Sequence, residues 1–301
     1  KFDKIFIFAP SPITVGIPGI VASKFFKAKV VLWVHDLWPE SIRIAGGINN
    51  KLVISSIEQM TRWIYKNVDK ILIQSEAFKS YIDKQVCDKN KIIYYPFYAE
   101  QFYKIEEPET SYIQKLPDGF KLLFAGNIGE GQSFLTLLEA AKKIKILDLP
   151  ISWIIFGDGR MKEMVEKEIE EHDLGKQFIL KGSLPASEMP KYFSCIDGLV
   201  VSLKKSEIFS ITIPGKLQSY LACGRPIIGS LDGIGAKIIN ESGSGFTAKA
   251  ESVEELVEAI ISLFNLTKEE RITLGSNGRN YFEKEFEREV LLDKLENILH
   301  F

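Results

Sequence analysis

A lysine stands in the first turn of a predicted helix, directly after an Ile-Pro-Gly run. Pro214 and Gly215 are residue types that begin helices, and Gly224 followed by Pro226 marks where this helix must end. Lys216 therefore places a positive charge at the helix end whose dipole is also positive, which is unfavourable by roughly 0.3–1 kcal/mol. An anion bound between the two would reverse that cost, and phosphate is the usual anion there. The alternative is a solvated surface lysine.

Two other loops, 126–132 and 157–160, contain glycines, and each follows an apolar run and precedes a helical pattern. Glycine lets the backbone approach a ligand closely and direct its N–H groups at an anion. The spacing of these glycines does not match the dinucleotide-binding fingerprint. The alternatives to an anion-binding role are that the glycines only form tight turns and that Asp158 is a helix N-cap. The predicted ligand-binding residues are Gly126, Asn127, Gly129, Gly131, Gln132, Gly157, Asp158 and Gly159, together with Pro214 and Gly215.

A histidine and a glutamate are the remaining candidates for chemistry. His35 follows the apolar run 30–34 and stands beside Asp36, although a lone histidine is more often structural than functional. Glu207 precedes the Lys216 helix, and its alternative role is that of a solvated loop acid. The sequence has no Cys and His cluster with metal-ligand spacing, no Walker loop and no nucleophile elbow, so no metal is predicted.

Composition is that of a globular protein with two domains. The 301 residues are 46% hydrophobic and 26% charged, and the net charge of −2 gives no general attraction for nucleic acid. The first 110 residues are nevertheless slightly basic, which is compatible with an anionic partner surface. Three cysteines without paired spacing, and no apolar run near the roughly 18 residues of a membrane span, favour a cytoplasmic protein.

Strand and helix patterns alternate along the chain, which predicts parallel β-α-β units in an α/β protein with two doubly wound domains. Strands are predicted at 4–9, 30–34, 71–73, 92–95, 120–125, 151–156, 177–180 and 197–201, with one more after Pro226. Helices are predicted at 19–27, 51–67, 133–146, 187–194, 235–241 and 252–265. A further helix is predicted to follow residue 160 and to end near 172, and one long charged helix is predicted at 278–301. The polar segment 104–118 separates a domain at 1–110 from one at 119–277.

The three candidate loops should meet in one place. In open α/β sheets, ligands bind outside the carboxyl ends of the strands. The loops 126–132, 157–160 and 207–216 each follow a predicted strand. We therefore expect all three to line one crevice.

Four motifs together resemble the family 4 glycosyltransferases, and the resemblance covers almost the whole chain. They are VHDLWPES at 34–41, FAGNIGEGQ at 124–132, FGDG at 156–159, and IPGKL at 213–217 with YLACGRP at 220–226. The first two are similar to the bacterial branch that builds surface polysaccharides, including N-acetyl-fucosamine transferases of O-antigen synthesis. The last two are general to the family.

The resemblance implies a GT-B fold, in which two Rossmann-like domains face a cleft. It implies a retaining, metal-independent enzyme that uses a nucleotide-sugar donor, here a UDP-N-acetyl-sugar, and no other cofactor. The second domain would hold the donor, and the first would hold a glycan or lipid-linked acceptor, with peripheral contact to the inner membrane face. It also implies that 278–301 returns to the first domain, and that about the first quarter of a usual N-terminal domain is absent.

Two departures from the family pattern affect the site. The paired-glutamate motif aligns on Ile211 and Ser219, and neither is acidic; Glu207 is the nearest carboxylate. The basic residues that many members place after strand 120–125 are also absent, since Asn127 and Gln132 occupy that loop. Lys216 is then the best partner for a diphosphate, with Lys204 or Lys205 as alternatives.

The expected catalytic residues are therefore Lys216, His35 and Glu207. Lys216 and the N–H groups of 129–131 would stabilise the leaving diphosphate. The resemblance places His35 near the donor sugar, and Glu207 could bind a sugar hydroxyl. Two alternatives are a nucleotide-sugar epimerase of the same architecture, and a non-catalytic binding protein of this fold.

Overall fold

The chain forms two compact units. The computed structural model describes residues 2–45 and 50–300. One unit is Lys1–Phe97 with Leu291–Phe301, and the other is Tyr98–Val290. The chain thus leaves the first unit before the polar segment 104–118 and returns to it at 291 rather than at 278.

The first unit is built on a four-stranded parallel sheet. Its strands are β1 (Lys4–Ala9), β2 (Lys29–Val34), β3 (Lys70–Ile73) and β4 (Ile92–Tyr94), in the order β1-β2-β3-β4. Its helices are α1 (Gly16–Phe26), α2 (Glu40–Ala45), α3 (Lys51–Lys66) and α4 (Lys79–Ile82). The Lys70 Nζ atom donates a hydrogen bond to the carbonyl of Ile298, at 2.8 Å, which ties the end of the chain to this unit.

The second unit is built on a six-stranded parallel sheet. Its strands are β5 (Phe120–Ala125), β6 (Ile151–Phe156), β7 (Phe178–Gly182), β8 (Gly198–Ser202), β9 (Ile227–Ser230) and β10 (Gly245–Ala248), in the order β10-β9-β8-β5-β6-β7. Its helices are α5 (Thr110–Ile113), α6 (Phe134–Ile146), α7 (Lys162–Glu171), α8 (Met189–Phe193), α9 (Glu207–Ile211), α10 (Gly215–Ala222), α11 (Ile234–Ser242), α12 (Val253–Asn265) and α13 (Lys268–Glu285), and α14 (Arg288–Leu299) leads back to the first unit.

The structure confirms the predicted doubly wound sheets, in which helices bury both faces of the strands. All six residues of β6 are buried, because helices cover both sides of a parallel sheet and leave no polar face. In β5 and β6 the register pairs Ala125 with Phe156. The two strands therefore end side by side, and their loops emerge at the same edge of the sheet.

Two predicted elements differ from the structure. Residues 207–211, predicted as part of a loop, form the short helix α9. The single helix predicted at 278–301 is wrong: α13 begins at Lys268 behind a capping box of Thr267 and Glu270, and α14 starts anew at Arg288. The strand β10 has no counterpart among the predictions.

Candidate functional site

The loops after β5 and β6 interlock at the carboxyl edge of the second unit's sheet. The Gly126 N–H donates to the carbonyl of Phe156 at 2.9 Å. Gly157 has a φ of +155°, and a Cβ atom there would lie 1.9 Å from the Gly126 carbonyl oxygen. Only glycine avoids both the strained backbone and the clash. This close approach holds the two loops in one surface.

Gly157→Ala is expected to lower the free energy of unfolding by at least about 2 kcal/mol, because it adds backbone strain to a backbone clash. Gly175→Ala is the matched control, since nothing lies within 4 Å of the Cβ it would add. Urea unfolding of both variants measures the difference. Equal stabilities would contradict the proposed interlock.

Asn127 and Asp158 add a second link between the same loops. The Ile128 N–H donates to the carbonyl of Asp158 at 2.8 Å. A Cβ atom at Gly159 would lie 2.4 Å from the Asn127 Oδ1 atom. The Asp158 carboxylate accepts from the Gly159 N–H at 2.8 Å, whereas α7 starts later, at Lys162. The alternative that Asp158 caps this helix is therefore wrong.

Lys216 lies where predicted, in the first turn of α10, and is half-buried. Its Nζ atom donates to the Gln132 Oε1 atom at 2.6 Å and lies 3.7 Å from the centroid of the Phe124 ring. A Cβ atom at Gly126 would lie 3.2 Å from the same Nζ atom. The ammonium group therefore stands against the β5 loop, with the amide of Gln132 as its polar partner.

Burial dominates the electrostatics of Lys216. It lowers the pKa of the ammonium group from 10.5 to about 7, because a charged group loses hydration when it is enclosed. Within the described part of the chain, Lys216 forms no ion pair with a carboxylate. A polyanion placed beside it would supply the missing countercharge and raise its pKa.

The start of α10 lies open beside this lysine. Pro214 is its N-cap residue and offers no side-chain hydrogen bond to the first N–H groups. Gly215 is exposed, and nothing lies within 4 Å of the Cβ it lacks. The unsatisfied N–H groups and the helix dipole can therefore act on an anion together with Lys216.

A pocket of about 310 Å³ opens next to Gly126 in the same unit. Its lining combines the apolar side chains of Leu184 and Met189 with the polar side chains of Asn127 and Asp158. The complete lining is Tyr103, Ala125, Gly126, Asn127, Phe156, Gly157, Asp158, Ser183, Leu184, Ala186 and Met189. A planar apolar group with polar substituents fits such a lining.

The prediction that all three loops line one crevice holds for two of them. Neither Lys216 nor Glu207 of the loop 207–216 lines the pocket, although the Lys216 Nζ atom lies against Gly126, which does line it. Glu207 begins α9 and is exposed. Gly131 also lies elsewhere: its carbonyl accepts from the Lys204 N–H at 2.9 Å, and a Cβ atom there would lie 3.0 Å from the Phe209 ring.

His35 belongs to the first unit, where it ends β2 among aromatic side chains. Its ring centroid lies 4.1 Å from that of Phe8, 4.6 Å from that of Trp33 and 4.2 Å from that of Phe97. Burial lowers its pKa to about 4, so the imidazole is neutral at pH 7. Among the described residues its Nε2 atom has no hydrogen-bond partner. His35 is thus able to bind a polar group, but not to act as an acid near pH 7.

Tyr103 and Ser183 line the pocket but were not predicted. Tyr103 comes from the segment that precedes β5, and Ser183 follows β7 directly. Ser183 follows the same rule as the other loops, since it stands at the carboxyl end of a strand. No pattern in the sequence distinguishes Tyr103 from other surface tyrosines.

The fold defines a two-domain α/β protein of the GT-B class, with glycine loops and Lys216 at the carboxyl edge of the second unit's sheet. The chain belongs to the family described as glycosyl transferases group 1, whose family model matches residues 108–281. It is therefore a glycosyltransferase, and the predicted enzyme class is confirmed.

Relatives of known description agree with this assignment. The Escherichia coli (strain K12) protein WcaI, described as a colanic acid biosynthesis glycosyl transferase, is 26% identical over an aligned length of 295 residues, and the alignment covers 93% of this chain and 70% of WcaI. The lipopolysaccharide 1,2-N-acetylglucosaminetransferase of Salmonella typhimurium is 22% identical over 66% of this chain. The chain spans 53% of that enzyme.

Solved structures match the fold. A glycosyltransferase from Rickettsia africae has a TM-score of 0.79 at 17% identity, covering 99% of this chain and 76% of that one. The HepE protein of Anabaena, crystallised with UDP and glucose, has a TM-score of 0.75 at 16% identity, covering 98% of this chain and 77% of HepE. In the described part of the chain, no helix combines the length and the apolar character needed to cross a membrane.

Proposed function

We propose that this protein is a retaining glycosyltransferase that transfers a sugar from a nucleoside diphosphate sugar to a glycan or lipid-linked acceptor during surface polysaccharide synthesis. The observation that carries the proposal is Lys216. A half-buried ammonium group, without a carboxylate partner in the described chain, stands beside a helix N-terminus and a glycine loop. A diphosphate carries the negative charge that would neutralise Lys216, and its oxygens can accept hydrogen bonds from the ammonium group and from the N–H groups at the start of the helix.

The chemistry follows from where charge develops. When the bond between the anomeric carbon and the diphosphate breaks, negative charge grows on the leaving oxygen. The Lys216 ammonium and the N–H groups at the start of α10 are fixed before the reaction, so they stabilise that charge without reorganisation. The acceptor hydroxyl forms the new bond on the face from which the diphosphate leaves. The leaving phosphate takes the hydroxyl proton.

The pocket beside Gly126 supports a nucleotide as the donor's carrier group. The apolar side chains of Leu184 and Met189 in its lining suit the face of a base, and its polar residues Asn127 and Asp158 suit the polar substituents of that base. We propose uridine as the base and an N-acetyl-sugar as the transferred group. These assignments rest on the resemblance of 34–41 and 124–132 to the N-acetyl-fucosamine transferase branch.

A cytoplasmic enzyme in peripheral contact with the inner membrane face is the corresponding proposal for its location. The outer surface of α1 supports it. Phe25 is 80% exposed and Phe26 is 44% exposed, and both stand between the exposed residues Lys24 and Lys27. Aromatic side chains beside lysines suit the interface of an anionic membrane.

One experiment tests the function. The full-length protein is incubated with UDP-N-acetyl-sugars and either a soluble glycan or a lipid-linked acceptor in anionic vesicles, and products are examined by NMR. We expect a glycoside with the anomeric configuration of the donor, formed faster with the vesicle-bound acceptor. Product from donor alone, without acceptor, would instead support an epimerase. Donor binding without any turnover would support a non-catalytic protein.

A further inference from the structure

Ser11 joins the two loops that follow β1 and β2 in the first unit. Its hydroxyl donates to the Asp36 Oδ2 atom at 2.5 Å and accepts from the indole N–H of Trp38 at 3.3 Å. Because an indole nitrogen can only donate, the serine proton is directed at the carboxylate. The two hydrogen bonds therefore hold the Asp36 carboxylate and the Trp38 ring together at the carboxyl edge of the four-stranded sheet.

The backbone on both sides of Asp36 is anchored. The N–H of His35 donates to the carbonyl of Ala9 at 3.2 Å, and the carbonyl of His35 accepts from the Gln74 Nε2 atom at 3.2 Å. Leu37, which follows Asp36, is buried. The carboxylate thus stands on a rigid support, which is the kind of position that keeps a binding group in its productive geometry.

Asp36 still has an oxygen free for a ligand. Ser11 occupies its Oδ2 atom, whereas in the described part of the chain its Oδ1 atom has no hydrogen-bond partner and no lysine or arginine pairs with it. Ser11 is exposed and Asp36 is half-buried, so a ligand can reach the carboxylate. A partly dehydrated carboxylate is stabilised by any hydroxyl that donates to it.

Trp38 differs from Trp33 in the same unit. Trp33 is buried, and its ring lies against several others, including those of Phe8 at 5.5 Å and Tyr95 at 4.9 Å between centroids. Trp38 is half-buried, and its ring is paired with no aromatic ring of the described residues. Its indole N–H is nevertheless fixed by Ser11. A fixed, accessible aromatic ring beside a carboxylate suits a sugar, whose C–H face can cover the ring while its hydroxyls donate to the carboxylate.

The charge of Asp36 restricts what can bind beside Trp38. A phosphate or a uronic acid carboxylate placed there would be repelled by the Asp36 carboxylate. A metal ion would need more ligands, and among the described residues Asp36 belongs to no group of three side chains that could hold one. A neutral sugar ring has neither difficulty.

We propose that Asp36 and Trp38 bind a neutral sugar ring of the acceptor, and that Ser11 is a positioning residue for the carboxylate. This inference rests on the proposed function and deepens it, because it names the chemical group of the acceptor that the first unit recognises. In a lipid-linked acceptor, the phosphates lie away from Asp36, and an uncharged sugar occupies this site.

Ligand-observed NMR on the full-length protein tests the inference. The probes are methyl glucoside and methyl galactoside, each compared with its uronic acid counterpart, from which it differs only in the charge and oxidation of C6. We expect at least one neutral glycoside to bind about fivefold or more tightly than its anionic counterpart. Asp36→Asn should bring this ratio close to one, which a merely structural defect would not do.

Three further variants separate the roles of the side chains. Asp36→Ala should weaken the neutral glycoside by about tenfold or more, because a hydrogen bond to a charged group is lost. Trp38→Ala should weaken the neutral and anionic probes by the same factor, because contact with the ring does not depend on charge. Ser11→Ala should weaken the neutral glycoside by about threefold. In all of them the affinity for UDP, measured by calorimetry, should stay that of the wild type.

Asp3→Asn and Trp63→Ala are the matched controls. Asp3 is an exposed aspartate that precedes β1, at the opposite edge of the same sheet, and Trp63 is 42% exposed on α3. Both should bind the probes as the wild type does. If no neutral glycoside binds, or if Asp36→Asn keeps the wild-type ratio, the inference is overturned, while UDP binding and sugar transfer still support the proposed function. Selective glycoside binding without UDP binding or transfer would overturn the proposed function and leave a sugar-binding site.

Discussion

Lys216→Met is expected to lower kcat for sugar transfer by about 10²–10³-fold, which is the usual cost of removing one fixed donor from a developing negative charge. Methionine keeps most of the length of the lysine side chain but removes the positive charge next to Gly126 and the start of α10. Steady-state kinetics with saturating acceptor measure the loss. Circular dichroism and thermal unfolding show whether the variant is folded.

The same substitution should raise the melting temperature of the unliganded protein. Burial disfavours the Lys216 charge, as its pKa of about 7 shows, so an apolar side chain relieves a cost in the folded state. Lys237→Met is the control, because Lys237 is an exposed lysine of the same unit that pairs with Glu241 at 3.6 Å. Wild-type turnover in a folded Lys216→Met enzyme would exclude Lys216 from the reaction.

The affinity for a nucleoside diphosphate should fall by about tenfold for each pH unit above 7, or about 100-fold between pH 7 and pH 9. The free protein holds the Lys216 proton with a pKa of about 7, and the bound diphosphate requires the charged form. Binding therefore takes up a proton in this range. Below pH 7 the phosphate itself is protonated, with a pKa of about 6, so the affinity should be highest near neutrality.

Folding stability depends on pH in the opposite direction to nucleotide affinity. Because the folded-state pKa of Lys216 lies below its unfolded value of 10.5, the folded protein binds fewer protons between pH 7 and that value. The contribution of this group to stability therefore rises with pH across the window.

Lys216→Arg, whose guanidinium stays charged, should remove the decline in affinity above pH 7. A constant wild-type affinity from pH 7 to pH 9 would contradict the assignment.

Much of the fold was predictable from local patterns. β5 and β6 begin and end at the predicted residues. Strands covered on both faces appear as uninterrupted apolar runs, and glycine or proline ends them sharply. Helix α9 was missed because five residues are too few to show a helical period, and the long helix at 278–301 was wrong because its charged pattern continues across the break before Arg288.

The candidate site was predictable where it depends on strand ends. The sequence by itself determined that glycine loops and Lys216 come together at the carboxyl edge of a parallel sheet, since topology brings strand ends together whatever the details of packing. Only the tertiary structure decided that Glu207 stays outside the pocket and that Tyr103 enters it. It also decided that the Lys216 ammonium is half-buried against the β5 loop and lacks a carboxylate partner in the described chain. Side-chain neighbours and burial depend on residues that are distant in the chain, and these two quantities set the pKa and the chemistry of a charged group.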